Sequence, residues 1–437
     1  MNYTEEQLSV IKSKHKRIRV KSPAGSGKTT TLIGYAKENF EKEILCIMFN
    51  RDLRKSTKRK LPINCTVETL NSLAYRNSEY KGRTIVENLT AIDVMNIMGV
   101  KEINTAYAIL DQYMSFCHSD KNDGEGPGIR FYKKIKEKHV RVDHNFILKE
   151  FSLSEAVGEL KFNTIMIDEA QDMNPVMLDI IGKIKHTKEI FIGDPMQNAY
   201  GFRDTVSIFD IKGDFKDFQL TKSFRFGEAI AEKVNGAGRY MYGEKFIHSI
   251  VGNKEINSKI LGKGDIVVGH GAAYITRTNA HLFEKALECA LLGVNISIPF
   301  DWEELKSNLK DLIFLKIGMR EKISNPIFLK YKDFGHFKSG IKKRQNVEMA
   351  YLVKIIDTYD IAVLEYISLI EQFLSSQKYA DIVLTTTHKA KGLEFISVEL
   401  GSDFKPHGNT EEKNLVYIAM TRAIKELHIN NVRWTKR

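Results

Sequence analysis

The stretch that most constrains this chain is Arg19-Val20-Lys21-Ser22-Pro23-Ala24-Gly25-Ser26-Gly27-Lys28-Thr29-Thr30. Ile18 and Val20 predict a strand, Gly25 and Gly27 a loop, and Thr31-Leu32-Ile33 the body of a helix. That layout is a phosphate cradle. The two glycines can take backbone angles closed to residues with a Cβ, so consecutive N–H groups turn inward around an anion at a helix N-terminus. On this reading Ala24, Gly25, Ser26, Gly27 and Thr30 wrap the phosphates of a nucleoside triphosphate, Lys28 reaches the β and γ phosphates, and Thr29 sets a hydroxyl on Mg²⁺. Ser22 stands where the usual G-x-x-x-x-G-K-[ST] pattern has its first glycine, and a plain glycine-rich turn before a helix is the alternative.

With 437 residues the chain exceeds one ordinary core, so about two to four domains are expected. Lys and Arg number 66 against 55 Asp and Glu, a net charge of +11, which suits a polyanionic partner and equally suits a solvated basic surface. Cys46, Cys65, Cys117 and Cys289 lie far apart without a C-x-x-C pair, so neither a zinc site nor a disulfide framework is indicated. No run has the length and apolarity of a signal peptide or a membrane span, so the expectation is a soluble, cytoplasmic protein with no membrane partner.

Further along, Thr4 and Gln7 have capping-box spacing at the start of a helix, and the Gln7 amide also suits the edge of an adenine. The uncharged run Ile44 to Phe49 reads as a strand covered on both faces, with Asn50 and Arg51 at its C-terminal end, where open α/β sheets bind ligands. From about Tyr75 to Ser154 the pattern is helical, broken by the polar loop from Ser119 to Gly128. Lys133, Lys134, Lys136, Lys138 and Arg141 then read as one basic face, for DNA or simply for water. The strand Asn163 to Ile167 delivers Asp168 and Glu169, the first suited to hold Mg²⁺ and the second to polarise an attacking water. A solvated acidic turn is the alternative there. The strand Glu189 to Ile192 leads to Gln197, suited to orient water or sense a γ-phosphate, and to Tyr200, Phe202 and Arg203, a stacking platform for unpaired bases with a cation beside it. Core packing is the other reading of those aromatics.

These segments, in this order, resemble the superfamily 1 helicases of the UvrD/Rep/PcrA type. Leu220 to Arg225 looks like the family's motif IV, Tyr274 to Asn279 like the strand after it, Thr386 to Phe395 like motif V, and Tyr417 to Ala423 like motif VI. Met48 to Arg51 and the segment around Thr69 look nearest to the F-box DNA helicase branch, without an F-box segment ahead of them.

The resemblance implies an α/β fold of two RecA-like P-loop domains, parallel sheets flanked by helices, each interrupted by a mainly helical insertion. Domain one would be residues 1–75 and 155–215 around an insertion at 76–154. Domain two would be 216–299 and 379–437 around a short insertion at 300–378. It further implies arginine fingers at Arg225 and Arg422, adenine stacking on Phe224, and ribose binding by Glu394. Single-stranded DNA, or a single-strand/duplex junction, would meet Phe49, Asn50, Thr69 and Asn71 on one side and Thr386 and His388 on the other. Asn71 stands where the family usually has histidine. The Lys391-Gly392-Leu393-Glu394 form of motif V resembles the branch that moves 3′ to 5′.

The expected function is therefore an ATP-dependent DNA helicase, acting as a monomer in the cytoplasm on DNA, in a cellular or a virus-encoded role. A translocase that strips proteins from DNA without opening duplex, and a nucleotide-switched DNA-binding module, are the competing expectations.

Overall fold

The computed structural model describes residues 2–49, 51–137, 140–199, 205–262, 267–300, 302–344 and 347–434. The chain divides into two compact units, Met1–Lys222 and Ser223–Arg437.

The first unit is built on a parallel sheet. Its strands are β1 (Arg17–Lys21), β2 (Ile44–Ile47), β3 (Cys65–Glu68), β6 (Thr164–Ile167), β7 (Lys188–Gly193) and β8 (Lys216–Gln219), and a separate short pair is formed by β4 (Ile85–Val86) and β5 (Val142–Asp143). The sheet order is β3-β2-β6-β7-β1-β8, so β1, which carries the glycine loop, lies beside the strand that leads to Gln197. All four residues of β2 are buried, as an uncharged run between two neighbours requires. Val10 and Ile11 of the first helix and Leu32 and Ile33 of the helix after the loop join Ile18, Val20, Cys46 and Ile190 in one core. Buried side chains of this kind contribute about 1.5–3 kcal/mol each, and here they hold the loop's two anchors in place.

Between β3 and β6 the chain runs through helices Ala91–Met98, Ile103–His118, Pro127–Glu137 and His144–Leu153. Thr90 and Asp93 form a capping box at the first of these, and left-handed Gly99 ends it. The basic face expected here is partly consumed by ion pairs. Lys136 Nζ lies 2.8 Å from Glu150, which also accepts hydrogen bonds from the Tyr80 and Tyr132 hydroxyls, and Arg141 Nε donates to Asp93 at 2.7 Å. Lys133 stays exposed, and Lys138 lies outside the described residues. One boundary also moves. β8 begins at Lys216, on the far side of the expected 215/216 division, yet it pairs with Ile18–Lys21 of β1, so the first unit runs on to Lys222.

The second unit repeats the plan with β9 (Lys259–Ile260), β10 (Ala272–Thr276), β11 (Ile296–Ser297), β12 (Ile382–Thr386), β13 (Phe395–Leu400) and β14 (Ala423–His428). Their order is β11-β12-β10-β13-β14-β9, and every recorded pairing is parallel. Helices Trp302–Ile317, Phe334–Arg344, Val347–Tyr359 and Val363–Gln372 fill the gap between β11 and β12. The apolar run from Tyr351 to Leu374 is divided between two helices. Asp360 breaks it with φ 49°, its carboxylate taking the Lys316 ammonium at 2.8 Å. The four cysteines are free thiols. Among the described residues no helix is long and apolar enough to cross a membrane.

Candidate nucleotide and nucleic-acid site

The glycine loop has the conformation its sequence calls for. Gly25 and Gly27 sit at φ 72° and 82°, in the left-handed region that a Cβ disfavours. Gly27 is the N-cap of helix Lys28–Glu38 and supplies no side-chain cap, so the N–H groups of the first turn remain available to an anion. Ser22, the departure from the usual pattern, is fully buried. Its N–H donates to Gly193 O at 2.8 Å, and its hydroxyl lies 2.6 Å from that of Ser26, which donates onward to Pro23 O at 2.7 Å. The serine thus braces the loop from inside and leaves its phosphate-facing backbone alone.

Lys28 and Thr29 open the helix and meet the acidic pair at the end of β6. Thr29 Oγ1 donates to Asp168 Oδ2 at 2.8 Å, and Lys28 Nζ is 3.8 Å from Glu169 Oε1. Burial, and then the charge of Glu169, push the Asp168 carboxyl up to about 6, against the opposing pull of Lys28 and the Thr29 hydrogen bond. A buried carboxylate raised in this way is short of positive charge. A hydroxyl and a carboxylate are hard oxygen donors that suit Mg²⁺, with phosphate and water completing its shell.

Glu169 is held in an uncommon backbone state. At φ 52° it is one of two non-glycine residues with positive φ among those described, the other being Asp360. Its N–H donates to Asp168 Oδ1 at 2.9 Å, and its carboxylate accepts from Gln171 Nε2 at 2.8 Å. The other end of that amide accepts the Asp194 N–H at 3.0 Å, and Asp194 Oδ2 in turn accepts from Gln197 Nε2 at 2.7 Å. Gln171 therefore ties the acidic pair to the turn after β7. Gly193 makes room for it, because a Cβ there would lie 2.3 Å from Gln171 Oε1. The sequence reading gave Gln171 no role; an amide inside an otherwise acidic run was the available signal.

In the second unit, Arg225, Glu394 and Arg422 come together. Arg225 Nε donates to Glu394 Oε1 at 2.8 Å, and its Nη1 donates to Thr421 O at 2.8 Å. Arg422 is buried, with Nε on Ile418 O at 3.0 Å and Nη1 on Leu393 O at 3.3 Å. Phe224, the residue before Arg225, is 42% exposed. Glu394, assigned above to a ribose, is here the ion-pair partner of Arg225.

The UvrD/REP helicase N-terminal domain model matches residues 101–216, and the UvrD-like helicase C-terminal domain model matches residues 329–433. The chain belongs to the UvrD-like helicase family. It is 24% identical over 491 aligned residues to F-box DNA helicase protein 1 of Schizosaccharomyces pombe, covering 95% of this chain and 55% of that one. To F-box DNA helicase 1 of Gallus gallus it is 25% identical over 497 residues, covering 97% and 48%. The chain thus spans about half the length of these curated relatives. Asp168 to Gln197 lie inside the N-terminal domain match, and Glu394 and Arg422 inside the C-terminal one; the glycine loop stands on its own geometry.

The remaining expected contacts of this UvrD-like chain are distributed as follows. Phe49 is half-buried at the end of β2, and Asn71 is half-buried in the first turn of helix Leu70–Arg76. Thr69 is the N-cap of that helix, accepting from Ser72 N at 3.1 Å, so its hydroxyl already has a structural task. Thr386 is buried at the end of β12, with His388 half-buried in the short helix that follows. Gln7 is buried, with Oε1 committed to the Thr4 N–H at 3.0 Å in the capping box. Asn50, Tyr200, Phe202 and Arg203 lie outside the described residues.

Proposed function

We propose that this chain is an ATP-dependent DNA helicase that moves 3′ to 5′ along single-stranded DNA and opens the duplex ahead of it. The observation that carries the reading is the left-handed glycine loop, which brings Lys28 and Thr29 to within reach of Asp168 and Glu169. Phosphoryl transfer leaves little covalent chemistry to the protein, so rate comes from positioning and charge. Lys28 and the loop amides would hold the β and γ phosphates. Glu169 would take a proton from the attacking water as the bond from the γ-phosphorus to the bridging oxygen breaks, the leaving charge passing to ADP. Mg²⁺, held through Thr29 and Asp168, would neutralise charge on the phosphate oxygens.

Arg225 and Arg422 would serve as arginine fingers, worth about 10³ to 10⁵ in rate where such fingers act. Phe224 would stack on adenine, Gln7 would read its edge through the amide donor, and Glu394 would exchange Arg225 for the ribose. Loss of the γ-phosphate would change what Lys28 and the loop hold, and a grip on the strand that alternates with nucleotide state would give movement. Phe49, Asn50, Thr69, Asn71, Thr386 and His388 would form the track, with Tyr200, Phe202 and Arg203 stacking bases at about 1–3 kcal/mol each. The four-part domain division, with its first core running on to Lys222, and the monomeric state belong to the same proposal, as does the polarity, which rests on the form of motif V.

The test is steady-state ATPase with and without single-stranded DNA, together with unwinding of duplexes carrying a 3′ or a 5′ tail, with Glu169→Gln as control. DNA-stimulated turnover and opening from the 3′ tail are expected. Opening from a 5′ tail alone refutes the polarity. Streptavidin displacement without duplex opening would replace helicase by translocase, and absent turnover would leave only a binding module.

A further inference from the structure

Parallel strands all start at the same edge of a sheet, and in the first unit the part of that edge formed by the neighbouring strands β7, β1 and β8 is basic. Arg17 begins β1, Lys188 begins β7 and Lys216 begins β8, with the loop residues Lys14 and Lys16 beside them. Together they line a cleft of about 650 Å³. β1 is five residues long, and at about 3.3 Å per residue the cleft lies roughly 16 Å from the glycine loop, at the opposite end of the strand. None of its residues belongs to the nucleotide site.

Five Lys or Arg side chains face two carboxylates there, Glu189 and Asp214. Glu189 is already engaged, by Arg17 and by His186 Nε2 at 3.4 Å. Lys188 donates to Ser13 O. Lys14, Lys16 and Lys216 are exposed and have no carboxylate within ion-pair reach among the described residues. Cations outnumber carboxylates in the lining by three, and an excess of like charge along a concave wall focuses field on an arriving anion.

The lining also selects among anions. Apart from the imidazoles of His15 and His186, the second of them held by Ile184 O and Glu189, it contains no ring and no aliphatic side chain, whereas protein-binding surfaces carry an apolar, aromatic-rich centre. Single-strand tracks need exposed aromatic platforms on which bases stack. Phe215, the neighbouring aromatic ring, is covered by the guanidinium groups of Arg17 and Arg19 at 4.0 and 4.5 Å from its centroid. What remains is a charged trough able to bind a phosphate backbone without touching bases, and duplex DNA offers such a backbone at about one charge per 1.7 Å.

We infer that the cleft at the strand-start edge of the first unit is a duplex DNA backbone contact, carried by Lys14, Lys16 and Lys216 and separate from the single-strand track. The identity of the partner rests on the DNA-acting reading above, so the experiment separates the two. Binding of the full chain to a blunt 20-base-pair duplex is measured by fluorescence anisotropy across a salt series, alongside binding to oligo-dT, binding to polyglutamate, and oligo-dT-stimulated ATPase. The triple variant Lys14→Gln, Lys16→Gln, Lys216→Gln is compared with Lys37→Gln, Lys81→Gln, Lys101→Gln, which removes the same charge from exposed lysines elsewhere on the unit.

Each lost backbone contact lowers the slope of log K against log salt by about 0.9, so the cleft variant should lose about 2.7 and bind duplex roughly tenfold or more weakly at 0.1 M salt. Oligo-dT affinity and stimulated ATPase should be unchanged, which also shows that the variant is folded. An unchanged duplex slope, an equal loss in the control triple, no duplex binding by the wild type, or a loss confined to oligo-dT or polyglutamate overturns the inference. A wild type whose ATPase ignores oligo-dT instead counts against the single-strand motor reading and leaves the duplex result to stand or fall alone.

Discussion

Removing the Gln171 amide tests whether the acidic pair depends on the turn after β7. Gln171→Ala deletes a charge-assisted hydrogen bond to Glu169 (2.8 Å) and takes the acceptor from the buried Asp194 N–H (3.0 Å). The first is worth about 1.5–3 kcal/mol and the second costs about 1–3 kcal/mol, so folding stability should fall by on the order of 3–5 kcal/mol. Glu169, freed at a strained backbone position, need drift only about 1 Å for turnover to fall on the order of 10²-fold. Gln171→Glu is the sharper variant. It keeps the acceptor for Asp194 but sets a second carboxylate against Glu169, so the two must share a proton. The acid limb of the pH–kcat profile should therefore move to higher pH with KM for ATP little changed, a signature that mere loss of packing does not give. Urea titration and DNA-stimulated ATPase from pH 5.5 to 9 provide the readouts. If both variants hold kcat within about twofold of wild type while Glu169→Gln is inactive, Gln171 does not position the base and the reasoning fails.

Three further outcomes follow from the same geometry. Asp168 has a folded pKa raised from 3.8 to about 6, so its contribution to stability is fully present below about pH 4 and is lost as pH rises through 6. In EDTA, Asp168→Asn should thus be more stable than wild type at pH 7.5, by up to about 3 kcal/mol, with the difference vanishing near pH 4; thermal melts at both pH values check the sign. Glu394→Gln removes the ion pair to Arg225, and since the glutamate is half exposed the stability change should stay under about 1 kcal/mol; a change in KM for ATP beside an unchanged melt is the expected pattern. Lys28→Ala should abolish ATP turnover and strand movement while nucleotide-free DNA binding persists in an anisotropy assay, and a variant that still translocates removes the motor reading.

Much of the geometry of the candidate nucleotide site was legible because its signals are local. Left-handed glycines, a lysine and a threonine at a helix start, and two carboxylates at a strand end are all set by short-range backbone chemistry. Ser22 looked like a defect in the pattern because sequence cannot show that position 22 is buried and that its hydroxyl meets Ser26. The partial neutralisation of the basic face of the first insertion was hidden for a related reason: Glu150 and Asp93, which pair with Lys136 and Arg141, come from other helices. The break at Asp360 was hidden in an apolar run because a single left-handed residue leaves no periodic trace.

By itself, then, the sequence determined an α/β chain with a phosphate loop, an acidic strand end and the ordered motifs of the UvrD-like family, since each of these is written in residues adjacent along the chain. Tertiary structure alone decided that Gln171 bridges Glu169 to Asp194, that Arg225 rests on Glu394, and that Lys14, Lys16 and Lys216 share one cleft. Those pairings join residues from 2 to more than 200 positions apart, and their geometry follows from strand order and parallel register, which no single stretch of sequence contains.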